Sequence, residues 1–174
     1  RITTFLRRRG FYKFNKEYVH FRVDTTLGHH LADVEMIVKK AQNEIDSTDY
    51  SHHRFHIGNI NYEQISDKPF LRPKVLRNAT AIGNGQLYRE SKMHETYARM
   101  SRLSAVAAAN VHVSPRTDGS DTLDVNISLT PNKRNSFSTE LEGTNSAGDL
   151  GAAASITYQN RNLFKGSELF NIKL

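Results

Sequence analysis

The last 38 residues constrain this chain most. Phe137, Thr139 and Leu141 alternate with Ser138, Glu140 and Glu142, and Asn145-Ser146-Ala147-Gly148 then supplies turn chemistry. From Leu150 the apolar side recurs at Ala152, Ala154, Ile156 and Tyr158, with Gly151, Ala153, Ser155, Thr157 and Gln159 opposite, a period of two. A second turn, residues 160–166, leads into Glu168-Leu169-Phe170-Asn171-Ile172-Lys173-Leu174. Strands of about nine to eleven residues, apolar on one side and polar on the other, are what a transmembrane barrel uses. Two strands and the opening of a third cannot close one, so the expectation is a piece of a larger parent.

No run of 18 apolar residues exists, which excludes a transmembrane helix but not barrel strands, whose alternating signal is weak. The 174 residues leave room for one or two small domains. Arg1 opens directly into an amphipathic pattern (Ile2, Phe5, Leu6) without a signal peptide, so the natural start is expected to lie elsewhere. The absence of cysteine rules out a disulfide scaffold and a Cys-ligated zinc. The formal charge of +6 is densest at Arg7-Arg8-Arg9, on a helix whose other face is apolar. A solvated helix face is the reading adopted, and no zinc-finger spacing or basic strand with paired aromatics argues for nucleic acid.

A helix-strand-strand pattern occurs twice. The first copy has a helix over residues 1–9 ended by Gly10, a strand over 18–25 with Val19, Phe21 and Val23 on one face, and a strand over 31–39 with Ala32, Val34, Met36 and Val38 on one face. The turn Leu27-Gly28-His29-His30 joins the two strands. The second copy has a helix over 90–103 with a Met93, Tyr97, Met100 and Leu103 stripe. Strands over 110–114 and 122–130 follow, the latter with Leu123, Val125, Ile127 and Leu129 on one face. Ahead of it come a strand over 54–62 with Gly58 as a bulge and a helix over 71–82, Pro73 in its first turn and Gly83-Asn84-Gly85 as its stop. Polar residues 42–51 form the boundary between the copies.

Strand-helix-helix-strand-strand units running into amphipathic strands resemble POTRA domains attached to an outer-membrane barrel. Phe55-His56-Ile57-Gly58-Asn59-Ile60 looks like a POTRA first strand, and Gly85-Gln86-Leu87-Tyr88 with Thr96 and Leu103 follows the linker and second helix. Residues 140–151 resemble the start of the barrel in the BamA/TamA-like surface-antigen family, and Asn160-Arg161-Asn162-Leu163-Phe164-Lys165-Gly166-Ser167-Glu168 resembles its next turn in Bacteroidetes members. Ser104-Ala105-Val106 departs from the family's Gly and aromatic, so a looser turn is expected there.

The fold class implied is α+β, with POTRA units followed by antiparallel strands of an incomplete outer-membrane β-barrel. Residues 1–41 would be a partial unit, 51–131 a complete one and 136–174 the first barrel strands. The resemblance implies assembly, insertion or translocation of proteins at the outer membrane, with this part mostly periplasmic. The partners implied are unfolded outer-membrane proteins or a secreted client, other assembly-complex subunits, and the membrane through the parent barrel. No nucleic acid is expected, and the exposed strands favour self-association. Alternatives are a transporter for one dedicated secreted partner and, of another class, a basic nucleic-acid-binding domain.

No nucleophile elbow or Gly-rich phosphate loop is present, so no catalytic residue and no cofactor is expected. His52 and His56, if on one strand face, stand about 13 Å apart at ~3.3 Å per residue, too far for one metal ion. The functional feature is instead open strand edge, which takes up an extended segment through backbone hydrogen bonds. If the 122–130 strand is central, Asn110, Val111, His112, Val113 and Ser114 form an edge suited to client binding. Ser136, Phe137, Ser138, Thr139, Glu140, Leu141, Glu142 and Gly143 would form the strand that the family places at the barrel seam.

Overall fold

Ten strands and three α-helices, joined by one turn of 3₁₀-helix, make up the computed structural model, which describes residues 2–26, 31–42, 49–146 and 149–174. In chain order they are α1 (Ile2–Arg7), β1 (Val19–Asp24), β2 (Asp33–Val38), β3 (Ala41–Gln42), β4 (Asp49–Tyr50), β5 (His56–Gln64), α2 (Pro73–Ala79), α3 (Glu90–Ser101), β6 (Val106–Pro115), β7 (Thr122–Pro131), β8 (Asn135–Ser146), β9 (Asp149–Asn160) and β10 (Phe170–Lys173). The fold is mixed α and β, mostly strand. Arg1, the Leu27-Gly28-His29-His30 turn, residues 43–48 of the expected polar boundary and Ala147-Gly148 lie outside the described residues. Four sheets form: β1-β2, β3-β4, β5-β7-β6 and β10-β9-β8. The chain divides into two compact units, one of residues 1–59, 84–92 and 114–124, the other of residues 60–83, 93–113 and 125–174.

In the first unit α1 stops two residues short of the expected helix. Gly10 follows at φ +101°, a conformation that only glycine adopts cheaply, and its carbonyl accepts from Phe55 N–H at 2.9 Å. Asn15 caps the 3₁₀ turn Lys16–Tyr18. β1 and β2 pair in the register Val19↔Val38, Phe21↔Met36 and Val23↔Val34, so the apolar residues share one face as their alternation requires. That face is exposed. β3 and β4 pair as Ala41↔Tyr50 and Gln42↔Asp49, with Ala41 fully buried and the other three residues inside the stretch 42–51 that reads as polar boundary. The core of this unit is aromatic. Tyr12 stands edge-on to Phe55 and Tyr88, and Phe14 packs on Tyr18 and His52.

In the second unit Leu71, Leu76, Ala79, Met93, Met100, Val125, Ile127 and Leu129 are buried. Pro73 does open α2, but the helix ends at Ala79, where Thr80 turns extended (ψ 125°); Gly83 is not its stop. Thr80 Oγ1 instead donates back to Leu76 O at 2.8 Å and meets the Tyr62 hydroxyl at 2.8 Å. The expected α3 stripe is displaced by one residue. Tyr97 is exposed, and Thr96 sits between Met93 and Met100 on the buried face, its Oγ1 accepting from Ala81 N–H at 3.0 Å. At 3.6 residues per turn the set with threonine and the set with tyrosine span the same arc of about 60°, so spacing does not choose between them and the bond from Ala81 N–H does.

Candidate functional site

The strand expected at the seam belongs to a meander whose turn is anchored by an asparagine-rich network. β9 ends at Asn160, a buried side chain whose Nδ2 donates to Asn135 Oδ1 at 2.7 Å and whose Oδ1 accepts from Asn162 N–H at 3.0 Å. Asn162, also buried, donates to Phe70 O at 2.8 Å and accepts from Ser167 N–H at 3.1 Å. Lys165 and Ser167 adopt positive φ (59° and 65°), a strain that surrounding contacts must hold. Arg72 N–H donates to Lys165 O at 3.0 Å and its guanidinium grips Phe164 O. Glu168 accepts from Phe164 and Gly166 N–H, both at 3.1 Å, and its carboxyl is held below the usual range first by its own backbone N–H and then by these donors.

Ser104, expected to loosen the turn it occupies, does the opposite. Its hydroxyl reaches Ser167 O at 2.6 Å and Arg161 O at 3.1 Å, while Ala105 N–H donates to Ser167 Oγ at 2.9 Å. A glycine could make none of the side-chain contacts. The loops at residues 70–72 and 104–105 thereby clamp the β9–β10 turn. Sequence reasoning missed this clamp, whose one local signal is asparagine and serine flanking a lone glycine.

β8 and β9 pair without interruption from Asn135↔Asn160 to Ser146↔Asp149. Ile156 and Leu174 exchange both backbone hydrogen bonds, at 3.0 and 2.9 Å. Ile156 therefore aims its N–H and C=O at the β10 side, and Ser155 and Thr157 aim theirs at β8. Ser155 is opposite Glu140 and Thr157 opposite Ser138. Hence Ser136, Ser138, Glu140 and Glu142 spend their backbone groups on β9. Phe137, Thr139, Leu141 and Gly143 point theirs the other way, where the sheet order β10-β9-β8 provides no further strand. On the sheet faces, Phe137 (74% exposed) and Leu141 (86% exposed) share a bare apolar side with Ile156, Ile172 and Leu174. The other side is polar, with Lys173 Nζ donating to Glu140 at 3.0 Å and Ser155 donating to it at 3.3 Å.

The second expected edge lies in a different sheet. Asn110, Val111, His112, Val113 and Ser114 fall within β6, which is longer than expected and outermost in the order β5-β7-β6, with β7 central. The opposite outer strand, β5, is partly covered: Ile57 N–H donates to Gln86 O at 2.8 Å and Gly85 N–H to Ile57 O at 2.7 Å, and just before the strand Tyr88 N–H donates to Phe55 O at 2.8 Å. Gly58 owes its place to close approach. A Cβ there would strike the Asp124 carboxylate and lie 2.7 Å from Thr122 Cγ2. Asp124 accepts a fork from Arg116 at 2.9–3.1 Å and Asn59 N–H at 2.7 Å. Arg116, then Asn59, hold its carboxyl below the ordinary 3.8.

His52 and His53 precede β5 instead of lying in it. His52 is half-buried against Phe14 and Tyr18 and bonds Lys39 O at 2.9 Å, and His53 meets Asp121 at 2.9 Å. Among the described residues no three His, Cys, Asp or Glu side chains gather as metal ligands, and no helix is long and apolar enough to cross a membrane.

No protein-family model matches the chain, and no curated protein matches it. Among solved structures, BamA from Haemophilus ducreyi lacking POTRA domains 1–3 superposes on 99% of this chain with a TM-score of 0.68 at 14% identity. This chain has the fold of that part of BamA. CdiB from Acinetobacter baumannii matches 97% of the chain with a TM-score of 0.56 at 12% identity. The chain spans less than a third of either, 29% of the BamA chain and 27% of the CdiB chain.

Proposed function

We propose that the chain is the membrane-proximal part of a BamA/TamA-like outer-membrane protein that assembles or translocates other proteins without enzymatic chemistry. Residues 51–131 form a POTRA unit, 1–41 part of another, and 136–174 the first barrel strands, with the POTRA part periplasmic. One observation carries the reading: β8 is an outer strand whose Phe137, Thr139 and Leu141 aim backbone groups away from β9, in a sheet with one bare apolar face. An apolar sheet face fits lipid, and an open edge in lipid demands a partner strand. The fold shared with BamA over 99% of the chain supports it.

Two edges divide the work. β6 adds an incoming extended segment to the periplasmic sheet, where backbone pairing tolerates varied sequence. Along Asn110, Val111, His112, Val113 and Ser114 backbone groups alternate between β7 and the open side, so capture falls to every second residue. The seam residues, 136–143, then template the client's strand. Assembly-complex subunits and a second copy of the chain are the further partners of such edges. A transporter for one dedicated secreted partner shares this architecture, and the CdiB likeness keeps it as the second reading.

Proline separates the two sides of β8. At Leu141 it deletes an outward N–H and spares the β9 ladder, whereas at Glu140 it deletes a ladder bond. Leu141→Pro in the parent should cut client assembly by about fivefold, the worth of one net hydrogen bond, with the β8–β9 pairing kept. Assembly at the wild-type rate by a stably folded Leu141→Pro protein would refute the seam role.

A further inference from the structure

One cleft in the first unit is lined by four arginines, Arg8, Arg9, Arg54 and Arg89, with Phe5 and Leu87 as its apolar wall, and holds about 850 Å³. No acidic side chain lines it. The neighbouring Arg7 is spoken for by Glu90 at 3.2 Å, but among the described residues none of the four lining arginines has an ion-pair partner. Like charges converging without counter-charge cost free energy in the empty state, which an anion relieves, and a one-sign cleft concentrates the field on it. Guanidinium is the group suited to forked recognition of phosphate.

We infer that this cleft binds the phosphate of an anionic lipid headgroup. The choice of lipid rests on the outer-membrane reading above; free phosphate is the other source of the same chemistry. The wall of Phe5 and Leu87 offers apolar contact beside the cationic groups, as an amphiphile needs. Nucleic acid is disfavoured because the cleft has a single aromatic, Phe5, one face of which already carries Arg9 with its Cζ 4.0 Å from the centroid, whereas single-strand binding stacks successive bases on several aromatic rings.

The test uses the whole 174-residue chain in flotation with vesicles of phosphatidylcholine alone or mixed with phosphatidylglycerol. The comparison is with Arg8→Gln/Arg89→Gln, whose side chains make no hydrogen bond or ion pair among the described residues. Wild type should prefer the anionic vesicles by about thirtyfold at low salt, roughly what two surface arginines contribute. The preference should fade as salt rises and disappear in the double variant, while Arg8→Lys/Arg89→Lys keeps part of it. Calorimetry with inorganic phosphate separates the sources: binding there without a vesicle preference assigns the cleft to soluble phosphate. Equal behaviour of wild type and the Gln variant in both arms would overturn the inference, as would a single-stranded oligonucleotide binding more tightly than either probe and losing that affinity in the variant. Binding to phosphatidylcholine alone reports the apolar β8–β9–β10 face, so its absence would count against the membrane reading and leave the phosphate arm readable.

Discussion

Gly58, Arg116 and Asp124 act as one unit. The carboxylate lies over a backbone that has no Cβ, accepts the guanidinium fork, and takes the Asn59 N–H as well. Gly58→Ala should destabilise by about 1–3 kcal/mol, the cost of overpacking, in chemical denaturation; an unchanged midpoint would mean the pair simply swings aside. Because folding lowers the Asp124 pKa below 3.8, the native state favours its charged form. The resulting stability is complete above the unfolded pKa and is lost as pH falls through the folded one. Asp124→Asn should therefore lose stability against wild type at neutral pH, and the gap should close in acid. A gap independent of pH would assign the loss to packing. Tyr88 shows the opposite effect of burial, its hydroxyl pushed up to about 12 by desolvation first and the nearby Glu90 second.

At the scale of elements, β7 organises the sheet it centres. Val125, Ile127 and Leu129 are fully buried, and Asp124, Asn126 and Ser128 alternate with them on the more open side. Ile127→Ala should cost about 2–4 kcal/mol, measured as a shift of the denaturation midpoint; a loss under about 1 kcal/mol would contradict full burial. This alternation was legible in the sequence because a period of two belongs to the residues themselves. So were the β1–β2 faces, the Gly10 stop and the order of β8, β9 and β10. Helix ends were less legible: α2 stops at Ala79 because Thr80 bonds back to Leu76 and to Tyr62, a partner 18 residues away. For the same reason Thr96 replaced Tyr97 in the buried stripe, since its value lies in capturing Ala81 N–H across the fold. The clamp on the β9–β10 turn was illegible, because Phe70, Arg72 and Ser104 have no local pattern that marks Asn162, Phe164 and Ser167 as their respective partners. Of the candidate site, the outer position of β6 and β8 could be read, but not which β8 residues face outward, which the Ile156–Leu174 exchange decides.

For the molecule as a whole, the two outer strands belong to two sheets of different character. β6 edges a sheet with a buried apolar face, and β8 edges one whose apolar face is bare. The proposed function has β6 receive strands in water and β8 take them up at a lipid-facing edge. The decisive measurement is site-specific photo-cross-linking in the full parent, with the probe placed in turn at each position from 136 to 143 during synthesis of an outer-membrane protein. Cross-links to the nascent client should concentrate at 137, 139 and 141, whose backbone faces the open edge. Absence of client cross-links from all eight positions, in a parent that still assembles its clients, would contradict the seam as the site of handover.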